Sequence, residues 1–113
     1  MPANNRLGVS CILPYEYPYF CMGFEWDNAK GRSNAVKHGI PLDLIPLCFE
    51  GPVLSRRNDR NNEERWLAIG SLEGLVVAFA YAKRGSNIRI ISARRANRYE
   101  RERYIEVTRS RGR

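Results

Sequence analysis

The side chains best suited to chemistry in this sequence are its single histidine, His38, and a set of lysines, arginines and glutamates. Lys37 precedes His38, and Glu64 is followed by Arg65. Cleavage of RNA without a metal ion needs a base for the 2′-hydroxyl proton, cations for the phosphorus oxygens and an acid for the leaving oxygen. His, Glu, Lys and Arg can supply these groups. The sequence therefore contains candidates for proton transfer and for phosphate binding.

Positive charge is concentrated in the C-terminal part of the chain. Residues 83–113 contain eleven Lys or Arg against three Glu, whereas residues 1–82 contain eight basic and nine acidic residues. This asymmetry favours a polyanionic partner: a nucleic acid, an anionic membrane or an acidic protein. Because arginine presents a bidentate fork to phosphate, Arg94 and Arg95 are predicted phosphate contacts at the point where a strand leaves its sheet.

Length and motifs exclude several classes of protein. A chain of 113 residues is one domain by length, and no apolar run reaches the ~20 residues of a membrane helix. The apolar stretch 9–21 is interrupted by Pro14, Glu16 and Pro18, so it is a poor signal-peptide core and a cytoplasmic protein is expected. No P-loop, dinucleotide fingerprint or zinc-protease motif is present, and no cofactor is predicted.

Three cysteines, Cys11, Cys21 and Cys48, could nominally form a zinc site with His38. Their spacing is wide and irregular, which favours unrelated thiols. No metal site is therefore predicted.

The first predicted elements place the histidine at the end of a helix. Residues 24–26 are predicted to form a short strand, and Asp27 is a suitable N-cap for a helix over residues 28–38 that ends at Gly39.

The later elements are a second helix, four strands and a last helix. Residues 41–49 have helical spacing of apolar residues, but Pro46 limits them to a short or kinked helix that Asp43 would cap. The predicted strands are 53–57, 64–69, 75–82 and 88–93. Their short connections predict an antiparallel meander. Asn97 and Glu100 fit a capping box that opens the last helix.

The predicted fold is therefore α+β, an antiparallel β-meander packed against helices in the order β-α-α-β-β-β-β-α. Residues 1–21 are interpreted as an N-terminal extension, with Met22 as an alternative start. Residues 22–107 form the predicted domain, and residues 108–113 a basic tail.

Strand alternation limits which candidate residues can converge. On the last strand, Ile88, Ile90 and Ser92 are expected on one face, and Arg89, Ile91, Ala93 and Arg95 on the other. Glu64 and Arg65 should point to opposite sides of their strand, and Arg65 is the preferred phosphate contact.

Three blocks of sequence carry a family pattern. They are Phe24 to Asp27 with Lys37-His38-Gly39, Glu64 to Gly70, and Ile88 to Ala96. In this order they resemble the BrnT toxins of bacterial type II toxin–antitoxin systems, over residues 22–107. The resemblance implies a RelE-like fold, endoribonuclease activity that arrests translation, and neutralisation by a BrnA-type antitoxin with a ribbon-helix-helix DNA-binding domain. It also implies that the complex represses its own operon.

Carried over residue by residue, the family's functional positions fall on Lys37, His38, Glu64, Arg65, Arg84, Arg89, Arg94 and Arg95. In the resulting hypothesis the first four are catalytic, with His38 and Glu64 transferring protons, and the last four bind RNA phosphates. Two positions depart from the family pattern: Pro46 interrupts a run that usually forms a helix, and Asn97 stands where Thr is expected.

Simpler interpretations remain for several residues. His38 at a helix C-terminus could be a cap that the helix dipole favours, and Trp26 and Trp66 are packing residues in preference to base-stacking ones. We expect Arg98, Arg101 and Arg103 to be solvated and paired with neighbouring glutamates. The whole chain could be a non-catalytic basic protein that only completes an antitoxin's operator complex.

Overall fold

One sheet of six strands forms the centre of the structure. The computed structural model describes residues 11–12 and 23–111. The strands are β1 (Cys11–Ile12), β2 (Gly23–Glu25), β3 (Leu54–Arg57), β4 (Arg65–Leu72), β5 (Leu75–Arg84) and β6 (Asn87–Arg95), and the helices are α1 (Asn28–His38), a 3₁₀ helix (Leu42–Glu50) and α2 (Arg98–Arg111). The sheet order is β1-β3-β4-β5-β6-β2. Strands β3 to β6 form an antiparallel meander, whereas β2 pairs in parallel with β6.

The α+β class is confirmed, and the structure differs from the prediction at the two ends of the chain. Strand β1 precedes the predicted elements and pairs with β3. It lies within the predicted extension 1–21, whose other residues fall outside the described part. Helix α2 continues to Arg111, so the predicted basic tail 108–113 is helical over its first four residues.

Helix α1 begins and ends where the sequence predicts. The Asp27 side chain accepts the backbone N–H of Lys30 at 3.0 Å. Gly39 ends the helix with a φ of 75°, and its N–H donates to the Ala35 carbonyl at 2.8 Å. Glycine adopts this left-handed conformation without a Cβ clash. His38 is therefore the last residue of α1.

The second helix differs from its prediction. The Asp43 cap is wrong, because Pro41 precedes the helix and makes no side-chain capping bond. The helix is 3₁₀ throughout, with Pro46 inside it. Its buried residues are Leu42, Ile45 and Cys48. A three-residue spacing matches the 3.0 residues per turn of a 3₁₀ helix, so this conformation buries all three on one face.

The main core lies between one face of the sheet and the elements α1 and the 3₁₀ helix. The Trp66 ring stacks on Tyr81 with centroids 5.5 Å apart, and Phe49 meets Tyr81 edge-on at 5.4 Å. The hydroxyls of Tyr81 and Ser55 share a hydrogen bond of 3.0 Å. Trp66 is 2% exposed, so its interpretation as a packing residue is confirmed.

Helix α2 packs on the opposite face of the sheet. Its contacts there involve Leu54, Ile69, Val76, Tyr104 and Val107. The Tyr104 hydroxyl donates to the Pro52 carbonyl at 2.8 Å. This small cluster covers only part of the face, and the uncovered part is available for a functional site.

A bulge in β6 changes which residues share a face. The cross-strand partners are Ala80 with Ser92 and Tyr81 with Ile90, and Ile91 is the extra residue between them. One inserted residue reverses the alternation beyond it. Ser92 and Arg94 therefore lie on the same face as Arg89. The predicted grouping, which put Ser92 with the core isoleucines and Ala93 with Arg89, is wrong.

Candidate functional site

A cleft of about 550 Å³ opens on the α2 side of the sheet. The residues that line it include Arg56, Leu67, Ala80, Ser92 and Arg94 from the strands, Asn97, Tyr99, Glu100 and Arg103 from α2 and its N-terminal approach, and His38 from α1. Arg56, Leu67, Ala80 and Ser92 form one cross-strand row. The cleft therefore brings together a histidine, three arginines, a glutamate and a tyrosine around a row of small and apolar residues.

The position of His38 depends on a buried asparagine one turn earlier in α1. The Asn34 side-chain nitrogen donates to the carbonyls of Ile40 and Ala93, both at 2.8 Å, and its Oδ1 accepts the Ala93 N–H at 3.2 Å. These bonds pair the backbone N–H and carbonyl of Ala93 on the edge of β6 that faces β2. Strand β2 has only three residues and pairs with residues 87–89, so it does not reach Ala93. The end of α1 is thus anchored to the strand residue that precedes Arg94.

Arg94 and Glu100 form a two-pronged ion pair in the cleft. Nη1 and Nη2 of Arg94 donate to Oε1 and Oε2 of Glu100 at 2.8 and 2.9 Å. The predicted capping box is confirmed, since Oε1 of Glu100 accepts the Asn97 N–H at 2.9 Å and Oδ1 of Asn97 accepts the Glu100 N–H at 2.8 Å. The hydrogen bonds from Arg94 lower the pKa of Glu100, so the carboxylate is ionised at neutral pH.

Arg56 and Arg103 are cleft arginines that have no carboxylate partner in the described part of the chain. Sequence reasoning missed Arg56 and interpreted Arg103 as a solvated helix residue. Alternation could have identified the first, because one of the adjacent strand residues Arg56 and Arg57 must face away from the core. Arg103 lies three residues after Glu100 and shares its side of α2.

A second cluster, which we call the paired end, lies where β3 and β5 finish. It comprises Arg57, Asp59, Glu63, Glu64, Arg65 and Arg84. Glu63 lies 2.8 Å from Arg65 Nε and 3.6 Å from Arg84 Nε. Glu64 instead contacts Arg57 at 3.1 Å. The bond from Arg65 lowers the pKa of Glu63. The predicted catalytic residues Glu64 and Arg65 thus have different partners, and neither lines the cleft.

Arg89 lies on the open sheet face near the paired end. Arg65 and Arg89 are the cross-strand partners of Ala82, one on each side, so all three share a face. Arg89 lies 3.9 Å from the Glu25 carboxylate, a loose ion pair. The arginines of this face therefore continue beyond the cleft along the sheet.

Lys37 and Arg95 are exposed residues outside the cleft. Arg95 pairs with Val77, a core residue, and so faces away from Arg94. Lys37 precedes His38 in α1 without lining the cleft. Of the eight site residues predicted from the sequence, the cleft contains His38 and Arg94.

Metal-ligating side chains do not cluster in residues 11–12 and 23–111, where no group of three His, Cys, Asp or Glu could hold a metal ion. Cys21 of the nominal zinc set lies outside the described residues. Cys48 is buried, and burial raises the pKa of its thiol to about 12. No helix in the described part is long and apolar enough to cross a membrane.

Comparison with known families gives a match over most of the chain. The family model described as "Ribonuclease toxin, BrnT, of type II toxin-antitoxin system" matches residues 26–100. This chain belongs to the BrnT family. BrnT membership makes it a ribonuclease toxin, with RNA as its target and an antitoxin as its partner. No curated protein and no solved structure matches the chain. The matched range begins at Trp26, just before α1, ends at Glu100, and includes all of the cleft residues named above except Arg103.

Proposed function

We propose that this BrnT-family chain is a metal-independent endoribonuclease with a RelE-like fold, whose active site is the cleft. The observation that carries the proposal is that a histidine and three arginines line one cleft in a member of a ribonuclease toxin family. RNA cleavage would arrest translation in the cytoplasm. The resemblance supports a BrnA-type ribbon-helix-helix antitoxin, which neutralises the toxin and represses the operon together with it.

In the proposed reaction, the 2′-oxygen of one nucleotide attacks the adjacent phosphorus and the 5′-oxygen of the next nucleotide leaves. His38 removes the proton from the 2′-hydroxyl, and the protonated imidazole or a water molecule returns a proton to the leaving oxygen. Arg56, Arg94 and Arg103 bind the non-bridging oxygens and stabilise the charge that develops on them.

Arg65 and Arg89 are proposed to bind phosphates on either side of the cleaved bond, because they lie on the same sheet face as Arg94. Such contacts position an RNA strand without reading its sequence. Four predicted residues lie outside the cleft: Lys37, Glu64, Arg84 and Arg95. Their proposed roles rest on the family resemblance alone.

Cleavage of a labelled single-stranded RNA in the presence of EDTA tests the proposal. The wild type should cleave, and His38→Ala should lower kcat on the order of 10²- to 10⁴-fold, the usual contribution of a general base. Lys30→Ala, an exposed position on the same helix, is the matched control and should cleave like the wild type. Wild-type protein that leaves RNA intact, both alone and with ribosomes, would contradict the proposal.

A second candidate function is that of a non-catalytic basic partner of a DNA-binding antitoxin. Carboxylates already contact Arg65, Arg89 and Arg94, which favours this alternative. It predicts no cleavage, normal growth when the wild type is overexpressed, and tighter operator binding by the antitoxin when the chain is present. His38→Ala would then leave operator binding unchanged.

A further inference from the structure

Glu100 lies in the cleft without a role in the proposed reaction. Its side chain is 20% exposed. Oε1 accepts hydrogen bonds from Arg94 Nη1 and from the Asn97 backbone, and Oε2 accepts one from Arg94 Nη2. A carboxylate offers about four lone-pair sites, so most of its capacity is in use. Glu100 is therefore poorly suited to accept a proton from RNA, and its contacts instead fix the orientation of Arg94.

The hydrogen bonds of Arg94 leave one edge of its guanidinium group free. The group has five N–H donors in one plane. Nη1 uses one donor on Glu100 and the other on the Arg95 carbonyl at 3.2 Å, and Nη2 uses one donor on Glu100. Within residues 11–12 and 23–111, Arg94 has no other acceptor. The unused donors are Nε–H and the second Nη2–H, which lie side by side on the edge away from Nη1.

We propose that Glu100 is a positioning residue that holds Arg94 so that this free edge, Nε–H and Nη2–H, binds two non-bridging oxygens of the RNA phosphodiester. The inference rests on the proposed function and deepens it, since it assigns the ligand of one named edge of Arg94. Parallel N–H donors match the spacing of two phosphate oxygens. Binding at this edge breaks no existing hydrogen bond. Displacing Glu100 from Arg94 would break two.

The anchoring of Glu100 supports a positioning role. The capping box ties its backbone and carboxylate to Asn97, and the ion pair then joins the first turn of α2 to β6 across the cleft. Arg94 is therefore held from the end of its side chain, while the side chain remains 48% exposed toward the cleft. An arginine fixed in this way loses less conformational entropy when it binds a phosphate.

Steady-state cleavage kinetics of Glu100→Gln test the proposal. Glutamine keeps the size and an acceptor for the Asn97 N–H but replaces one carboxylate oxygen by an NH₂ group that cannot accept from Nη2. The kcat should fall on the order of ten- to a hundredfold with little change in KM, as expected for a misaligned catalytic contact. The control is Glu102→Gln on the same helix, whose carboxylate pairs with Arg98 at 3.0 Å and does not line the cleft.

The background variant Arg94→Ala separates an effect through Arg94 from a general effect on α2. If Glu100 acts through Arg94, Glu100→Gln causes no further loss in that background. Two outcomes would overturn the proposal. In the first, Glu100→Gln has the same kcat as Glu102→Gln. In the second, Glu100→Gln cleaves RNA faster than the wild type. The second result would identify Glu100 as a group that blocks Arg94.

Inorganic phosphate provides a readout that does not depend on RNA cleavage. The ¹H–¹⁵N signal of Arg94 Nε in the full chain should shift when phosphate is added to the wild type and to Glu102→Gln, and should shift far less in Glu100→Gln. A wild-type signal that does not respond to phosphate overturns the inference even if RNA is cleaved. A shift in protein that leaves RNA intact supports the inference while overturning the proposed function.

Discussion

The cleft and the paired end contain similar cations and differ in their supply of carboxylates. The cleft has the arginines Arg56, Arg94 and Arg103 with one carboxylate, Glu100. The paired end has the arginines Arg57, Arg65 and Arg84 with the carboxylates of Asp59, Glu63 and Glu64. The charges therefore balance at the paired end, whereas the cleft carries an excess of positive charge beside His38.

Under the proposed function, this difference makes local charge balance more important than the number of arginines for phosphate binding. A phosphate at the paired end must compete with a carboxylate 2.8 Å from Arg65. In the cleft, Arg56 and Arg103 meet no such competitor within the described residues, and Arg94 keeps one edge free. Exposed ion pairs contribute only about 0–1 kcal/mol, so the paired end can still exchange partners at a modest cost.

In the comparison of the cleft with the paired end, the largest expected effect follows from removing Arg94. Arg94→Ala should lower kcat for RNA cleavage on the order of 10²- to 10³-fold, because it removes oriented donors from the developing charge. Arg65→Ala should lower kcat by less than about tenfold and act mainly on KM, as a contact to a neighbouring phosphate would. Steady-state kinetics of both variants measure the contrast. Equal losses of kcat in the two variants would contradict the claim that the cleft, and not the paired end, contains the active site.

The next effect concerns stability, because the cleft depends on a buried side chain and the paired end does not. Asn34→Ala leaves an N–H and a carbonyl of Ala93 and a carbonyl of Ile40 without their partner, and should lower the free energy of unfolding by about 2–4 kcal/mol. Asp59→Ala should cost less than about 1 kcal/mol, because its ion pair is exposed. Urea unfolding measures both. A similar loss in the two variants would contradict this account.

A smaller effect is expected when the paired end is made to resemble the cleft. Glu63→Gln removes the carboxylate that contacts both Arg65 and Arg84. In a His38→Ala background, RNA affinity should rise about threefold and the slope of log affinity against log salt should steepen by about 1, as one more phosphate is neutralised. Fluorescence anisotropy measures the change. Glu50→Gln, an exposed position, controls for net charge, and an equal gain there would refute the local explanation.

The smallest effect is the pH dependence of the ion pair in the cleft. Arg94 lowers the pKa of Glu100 below its ordinary value of 4.5. A carboxyl group with a lowered pKa stabilises the fold above its unfolded pKa, and this contribution is lost as the pH falls through the folded pKa. Wild type should exceed Glu100→Gln in free energy of unfolding by less than about 1 kcal/mol at pH 7. The difference should start to shrink as the pH falls below 4.5 and be lost once the pH has passed through the lowered pKa of Glu100. Urea titrations between pH 7 and pH 3 test this, and a constant difference would contradict it.

Much of the fold was predictable because its determinants are local. Asp27 and Gly39 define α1, and the Asn97–Glu100 capping box opens α2, each through bonds between residues three or four apart. Three features were not predictable. They are the 3₁₀ conformation around Pro46, the parallel pairing of β2 with β6, and the bulge at Ile91. Each depends on packing against parts of the chain that are distant in sequence.

The candidate site was predictable only in part for the same reason. His38 and Arg94 belong to blocks that the sequence identifies, and the structure places both in the cleft. Arg56, Glu100 and Arg103 were missed as cleft residues. They come together only where β3, β6 and α2 pack against one another. A pattern within one segment of the sequence does not predict such long-range packing.

The sequence by itself determined the concentration of positive charge, the single histidine at a helix end, the helix caps and the membership of the BrnT family. These properties follow from residue type and from spacing over a few positions. Only the tertiary structure decided which arginines meet a carboxylate and which face the cleft. The bulge reverses the facing of Arg94, and the crossing of α2 over the sheet brings Glu100 to it. Hydrogen bonds act over about 3 Å, so the choice of partner is made where distant segments meet.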